Sequence, residues 1–170
     1  PTDLGPAVDN AIAVGVNVIS MSLVWCANAW FDDSGEVASA VTTAANSGIV
    51  VSLSAGNYAE CHYQGVMSPG GDDWHDFTGD DETINIIIGA GERVNFSMVW
   101  NTNGDTYDYD IYLFDASFNE IASSTNPSDY FEQFSYTNTG GSDQLVHLAV
   151  ESYSGGNTEF EIFTYYGDWQ

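Results

Sequence analysis

Basic side chains are almost absent from this sequence of 170 residues. Arg93 is the single member of the Lys and Arg class, against 25 Asp and Glu, and the formal net charge is −24. Nucleic acids and anionic membranes would repel such a chain, so neither is expected as a partner. The imbalance indicates a saline or calcium-rich exterior, where cations screen the carboxylates. The alternative is that the acidity serves solubility alone.

Long apolar runs are also missing. No stretch approaches the roughly 20 apolar residues of a membrane span, and no secretory signal pattern opens the chain. The chain starts inside a helical pattern, "PTDLGPAVDNAIAVG", so we expect a fragment of a larger protein. The 44% hydrophobic and 14% aromatic residues are sufficient for a packed core.

Cysteine is scarce as well, with Cys26 and Cys61 as its two representatives. Neither has the Cys-x-x-Cys or Cys/His spacing of a zinc site, so metal ligation by thiolates is not expected. Two free thiols or one disulfide are the alternatives.

The two halves of the chain differ in their hydrophobic period. Up to about residue 58 the pattern predicts helix, strand, helix and strand, with "NVISMSLVW" and "IVVSLSAGN" as buried parallel strands. After the turn-rich "SPGGDDWHDFTGDDE", apolar residues alternate in about eight short strands. We therefore predict an α/β parallel-sheet fragment over residues 1–65, followed by an all-β, jelly-roll-like sandwich over residues 66–170.

The first third of the chain resembles the subtilisin-like serine peptidases (subtilases). The segments "AVDNAIAVGVNVISMSL" and "EVASAVTTAANSGIVVSLSAGN" match that family in element order and in the Met-Ser-Leu and Ala-Gly-Asn runs. The resemblance implies that Asn57 donates its side-chain amide to the oxyanion that forms on the scissile carbonyl, a donor worth about 3 to 4 kcal/mol. Taken alone, Ala-Gly-Asn is also an ordinary tight turn.

The same resemblance implies two substrate-binding segments. Ser22, Leu23 and Val24 are expected to pair with the substrate as an added strand. Ser54, Ala55 and Gly56 are expected to border the pocket for the residue before the cut. Val24 stands where the family usually has glycine, so the cleavage preference does not carry over.

The catalytic Asp, His and Ser motifs of that family are absent. His62, His75 and His147 have no serine nearby in a recognisable motif, and we expect them to be surface or hydrogen-bonding residues. The isolated chain is therefore predicted to be inactive. Its partners in the parent enzyme would be the remaining peptidase domain and a polypeptide substrate.

The positions of the two cysteines agree with the two predicted parallel strands. Cys26 follows the first predicted strand and Cys61 the second, at the same side of a parallel sheet. We predict a Cys26–Cys61 disulfide, which would stabilise the fold by roughly 3 to 4 kcal/mol on the loop-entropy model. A disulfide implies an oxidising setting, so we expect an extracellular or cell-surface location.

The second half resembles the bacterial pre-peptidase C-terminal β-domain. The resemblance is carried by "WNTNGDTYDYDIYLFD", "EIASSTN" and "HLAVESYSGGNTEFEIF", over about residues 92–164. It implies an accessory sandwich inserted into a secreted peptidase. A sugar- or protein-binding platform is one reading of its aromatic residues, and core or edge packing is the other. The residues concerned are Trp74, Tyr107, Tyr109 and Tyr112.

Acidic residues at the start of one predicted strand offer oxygen ligands. Asp105, Asp108 and Asp110 form a candidate calcium site, with a solvated acidic rim as the alternative. No cofactor is expected for the chemistry itself. The function predicted from the sequence is thus part of a secreted subtilisin-like serine endopeptidase. The alternative is a non-catalytic extracellular binding module on a degenerate peptidase scaffold.

Overall fold

The structure is a computed structural model that describes residues 3–25, 30, 34–102, 104, 106–127 and 130–170. The chain divides into two compact units, Pro1–Asn57 and Tyr58–Gln170. Among the described residues, no helix has the length and apolar character needed to cross a membrane.

The first unit alternates helices and strands. Its elements in chain order are α1 (Leu4–Ala13), β1 (Val18–Met21), α2 (Gly35–Asn46) and β2 (Val50–Leu53). Strands β1 and β2 pair in parallel, with Val18 opposite Val50 and Met21 opposite Leu53. This order follows from the sequence, because helix-period segments alternate with short β-branched runs.

The core of the first unit is small. It consists of Val8, Ala40, Ala44 and Ile49. Ile19 and Val51 pack against it from the strands. Successive strand residues face opposite sides, so Val18 and Val50 lie on the other face of the sheet. Their side chains remain 60% and 64% exposed.

The second unit is a β-sandwich. Its strands in chain order are β3 (His62–Val66), β4 (Ile84–Ile88), β5 (Arg93–Trp100), β6 (Asp108–Asp115), β7 (Glu120–Ser124), β8 (Phe131–Thr137), β9 (Gln144–Ser154), β10 (Glu159–Tyr165) and β11 (Asp168–Trp169). One sheet has the order β3-β10-β5-β8, and the other has the order β11-β4-β9-β6-β7. All these neighbours are antiparallel.

Alternating side chains from both sheets fill the sandwich. These core residues are Met67, Ile86, Ile88, Val94, Phe96, Met98, Trp100, Tyr109, Ile111, Leu113, Val146, Leu148, Val150, Phe160 and Ile162. The period-two pattern that the sequence shows in β4, β5 and β6 is thus the core-facing set of each strand.

The predicted fold class is wrong in its first part. Strands and bridges account for 45% of the described residues and helices for 14%, so the described part of the chain is mostly β-sandwich. The parallel sheet has only two strands of four residues each, and it is not a substantial α/β fragment. Hydrophobic period identifies the type of an element but not how many neighbours its sheet acquires, which explains the error. In addition, β3 lies within the predicted α/β segment but pairs with β10 of the sandwich.

Candidate functional site

The carboxyl ends of β1 and β2 bring the two predicted substrate-binding segments together. Beyond the last paired residues, the Ser54 amide donates to the Met21 carbonyl at 3.1 Å. The Ser54 hydroxyl donates to the Leu23 carbonyl oxygen at 2.8 Å. Residues 22–24 and 54–56 therefore lie side by side at one edge of the sheet. Leu23 and Val24 are 55% and 46% exposed.

Asn57 follows this edge and is exposed. The preceding residue, Gly56, has φ of +82°, a conformation that favours glycine and turns the chain after β2. A carboxamide has two N–H donors and one acceptor oxygen. On an exposed turn at the carboxyl end of a parallel strand, those donors are accessible to an anionic group. The role of Asn57 as an oxyanion donor stays a prediction.

The three histidines all lie in the second unit, and each is hydrogen-bonded. His62 Nε2 lies 3.0 Å from a Glu161 carboxylate oxygen, and His147 Nδ1 lies 2.7 Å from Asn85 Oδ1. His75 accepts from the Ser68 amide and bonds to the Tyr63 hydroxyl at 2.8 Å. Burial lowers the pKa of His75 to about 4, so this side chain is neutral at pH 7.

The predicted disulfide has no support in the structure. Cys61 is a free cysteine whose thiol donates to the Gly167 carbonyl at 3.4 Å. Cys26 lies outside the described residues. The thiol of Cys61 already has a partner within the sandwich, which the sequence did not indicate.

Two of the three predicted calcium ligands lie within the described residues. Asp105 lies outside the described residues, whereas Asp108 and Asp110 occupy alternate positions on β6 and are buried. Asp108 Oδ1 is buried and has no hydrogen-bond partner. Within the described part of the chain, no group of three or more His, Cys, Asp or Glu is arranged to hold a metal ion. Calcium binding by this set stays a prediction.

The surroundings of Asp110 raise its pKa strongly. Burial raises its pKa to about 6, and the charges of Asp108, Glu132 and Glu151 act in the same direction. Burial also raises the pKa of Asp108. The pKa of Tyr112 is raised by burial, by its hydrogen bond to Glu151 and by the nearby carboxylates. A carboxylate in such surroundings favours the protonated form or an external cation.

The four aromatic residues considered as a platform do not act together. Tyr109 is fully buried in the core, where its hydroxyl donates to the Gly156 carbonyl at 2.5 Å. Tyr107 stacks near it, with ring centroids 6.4 Å apart. Trp74 and Tyr112 are half-buried and contact each other, with centroids 5.2 Å apart. The four residues therefore do not form one continuous platform.

A groove of about 350 Å³ lies between α1 and α2. Its lining includes Asp9 and Glu36, together with small residues such as Gly5 and Ala40. All its lining residues come from the two helices, so the groove is distinct from the strand ends that carry Asn57.

Sequence reasoning missed Glu151, and it missed the contacts made by Ser54 and Trp74, two residues that it had named. The Ser54 hydroxyl joins the two strand-end segments, and Glu151 lies directly opposite Asp110 in the β6–β9 register. Trp74 forms an isolated antiparallel bridge with Glu151. None of these had a sequence signal, because strand register and long-range bridges depend on the tertiary fold.

Comparisons with known proteins support the fold and little beyond it. No family model and no curated protein sequence matches this chain. The structure of the CspB protease of Clostridium perfringens is similar over 92% of this chain, at 12% identity and a TM-score of 0.51. This chain spans 36% of that protein's length.

Two further structures have lower TM-scores. The pre-peptidase C-terminal domain of a Bacillus anthracis collagenase matches 62% of this chain and 89% of its own, at 14% identity and a TM-score of 0.44. A mitogen from Yersinia pseudotuberculosis matches 64% of this chain and 84% of its own, at 16% identity and a TM-score of 0.38. The likeness in fold therefore rests on the CspB structure alone.

Proposed function

We propose that this chain is part of a secreted subtilisin-like serine endopeptidase, to which it contributes the oxyanion donor Asn57, two substrate-binding segments and an accessory β-sandwich. The observation that carries the proposal is the exposed Asn57, four residues beyond the end of β2, one of two adjacent parallel strands. Ligands of open parallel sheets bind at the carboxyl ends of the strands. The likeness in fold to a protease over 92% of this chain agrees with the proposal.

The link between Ser54 and Leu23 supports the assignment of the substrate-binding segments. A substrate that pairs with residues 22–24 needs a backbone held in a defined position. The hydrogen bond from the Ser54 hydroxyl holds the Leu23 carbonyl at 2.8 Å and couples it to the segment that precedes Asn57. In this proposal, Ser54 is a positioning residue rather than a catalytic one.

The exposed face of the parallel sheet supports a larger peptidase domain. Val18 and Val50 are register partners, and both are more than half exposed. Strands of parallel sheets are ordinarily covered on both faces, because helices pack on each side. We propose that the remaining peptidase domain covers these two valines. Extracellular location and a polypeptide substrate belong to the same proposal.

The test is expression of the coding sequence of this chain together with the coding sequence on both sides. The product should react with a fluorophosphonate serine probe and hydrolyse casein. Asn57→Ala should lower kcat by about 10²- to 10³-fold with little change in KM, because the amide acts on the transition state. Asn157→Ala, an exposed amide in the sandwich, is the matched control and should leave kcat unchanged.

The alternative function is a non-catalytic binding module. An expressed protein that neither labels nor hydrolyses casein, or an Asn57→Ala variant with unchanged kcat, would overturn the peptidase proposal. The module would then depend on the sandwich, whose half-buried Trp74 and Tyr112 lie beside carboxylates.

A further inference from the structure

The outward face of the five-stranded sheet combines aromatic rings with carboxylates. On β6 the core residues Tyr109, Ile111 and Leu113 alternate with side chains that point away from the core. We define the acidic-aromatic face as Trp74, Asp108, Asp110, Tyr112, Phe114 and Glu151. This face belongs to the sandwich and contains none of the strand-end residues of the first unit.

Trp74 is held over this face by backbone hydrogen bonds on both sides. The Ser152 amide donates to the Asp73 carbonyl at 2.7 Å, and the His75 amide donates to the Val150 carbonyl at 2.9 Å. The Trp74 ring meets the Tyr112 and Phe114 rings edge-on, with centroids 5.2 and 6.0 Å apart. The ring is therefore fixed in place and only partly buried.

The carboxylates of this face are close together and incompletely satisfied. Asp110 and Glu151 are directly opposite in the β6–β9 register. The Tyr112 hydroxyl donates to Asp110 Oδ2 at 3.4 Å, and the Glu151 carboxylate contributes to the raised pKa of Tyr112. Asp108, only 9% exposed, has the buried Oδ1 that lacks a partner. Burying a charged group without a partner costs free energy, so a hydrogen-bond donor from outside the chain would stabilise this oxygen.

The chain has no cation of its own for these carboxylates. It contains no lysine, and its one arginine, Arg93, donates to Ser135 on the other sheet. The three histidines bond to other residues. The raised pKa of Asp110, about 6, agrees with a site whose negative charge is not neutralised internally.

We propose that the acidic-aromatic face binds an arginine or lysine side chain presented by a basic protein partner. A guanidinium or ammonium group would meet the Trp74 ring by a cation–π interaction. The carboxylates of Asp108 and Glu151 would accept its N–H groups in charge-assisted hydrogen bonds. The overall charge of −24 would attract such a partner and exclude acidic ones.

The experiment uses the whole 170-residue chain and a fluorescent Gly-Gly-Arg-Gly-Gly peptide. Binding is measured by anisotropy at about 150 mM salt, where long-range attraction is screened. The same peptide with citrulline in place of arginine keeps the shape and removes the charge. The arginine peptide should bind, and the citrulline peptide should bind at least about tenfold more weakly.

Variants locate the site. Glu151→Gln and Trp74→Leu should each weaken binding by about fivefold or more, since each removes one of the predicted contacts. Glu60→Gln and Asp143→Asn remove the same charge from exposed positions of the same unit and should change the affinity by less than about twofold. Thermal melting checks that each variant is folded. Trp74→Leu keeps the test decisive if Glu151→Gln does not fold.

Two kinds of result would overturn the proposal. Equal binding of the arginine and citrulline peptides, or equal losses in Glu151→Gln and Glu60→Gln, would mean that no defined cation site exists. The other is a rise in Tm with Ca²⁺ alone that Asp108→Asn abolishes, without peptide binding, because the face would then be a metal site. Neither outcome depends on peptidase activity, so failure here is distinct from failure of the role proposed for Asn57.

Discussion

The two units of this protein bury their apolar residues to very different extents. In the sandwich, every core position of β5 and β6 is fully buried, including Phe96, Trp100 and Tyr109. In the α/β unit, four residues form the core, whereas Val18, Val50 and Leu53 are about half exposed or more. The sandwich completes its own core. The α/β unit leaves apolar strand residues uncovered.

Because of this difference in burial, the residues that stabilise the protein and the residues that are accessible to a ligand lie in different units. The exposed α/β unit carries Asn57 and the strand ends, which the proposed peptidase function requires to be accessible. The sandwich supplies most of the buried apolar area, and hydrophobic stabilisation scales with that area. Its polar features, such as Asp110 and His75, are accordingly buried among neighbours that shift their pKa values. The predictions below test this contrast.

The largest expected effect is the loss of stability when a core side chain is shortened. Leu148→Ala removes a fully buried side chain of β9 and should reduce the free energy of unfolding by about 2 to 5 kcal/mol. Leu53→Ala is the same change at a residue of β2 that is 48% exposed, and it should cost less than about 1 kcal/mol. Urea unfolding measures both. Equal losses would remove the distinction between the units.

The second prediction concerns Asp110 and pH. Its pKa in the folded protein, about 6, exceeds the ordinary value of 3.8, so protonation favours folding. The stabilisation is present below pH 4 and is lost as the pH rises through about 6. Replacing Asp110 by Asn should therefore cost about 2 to 3 kcal/mol more at pH 4 than at pH 7.5.

The shifted pKa of His75 changes the stability in the opposite direction over the same pH range. Its pKa in the folded protein is lowered from 6.5 to about 4, so its contribution is present above pH 6.5 and is lost as the pH falls toward 4. The Asp110→Asn variant should thus lose stability on acidification more steeply than the parent. Urea unfolding across pH measures the difference. Asp143→Asn, at an exposed position, is the control, and parallel curves for parent and Asp110→Asn would contradict the assignment.

Replacing a glycine by alanine should change the stability in opposite directions in the two units. Gly155 has φ of +111°, and a Cβ there would lie 2.4 Å from Tyr107 Cδ1 and 3.0 Å from Tyr107 Cα. Gly155→Ala should destabilise the protein by roughly 1 to 3 kcal/mol. Gly5 lies in α1 with open space around it, and Gly5→Ala should stabilise by up to about 1 kcal/mol. Tm shifts of the same sign would contradict the comparison.

The smallest expected effect is at the strand ends. Ser54→Ala removes the hydrogen bond to the Leu23 carbonyl and should lower stability by about 0.5 to 1 kcal/mol, because the bond is exposed. Ser52→Ala, at an exposed position two residues earlier on β2, is the control. Faster hydrogen exchange at the Ser54 amide in the first variant alone would confirm that the hydroxyl holds this edge.

Local pattern predicted the elements better than the architecture. Ile86 and Ile88, and Val94 through Trp100 at alternate positions, are core residues as their period indicated. The same reasoning overestimated the α/β part, because the sequence of a four-residue strand does not show how many strands its sheet contains. Asp108 and Asp110 occupy alternate positions of β6, as the sequence spacing implies. Their burial and the proximity of Glu151 were not visible.

The sequence by itself determined the type and order of the elements, the excess of negative charge and the scarcity of basic residues. These properties depend on residues close together in the chain or on composition alone. The tertiary structure decided which strands became neighbours. It therefore placed Glu151 opposite Asp110, joined Ser54 to Leu23, and left Val18 and Val50 exposed. Such contacts depend on register and burial, which bring together residues that are distant in sequence.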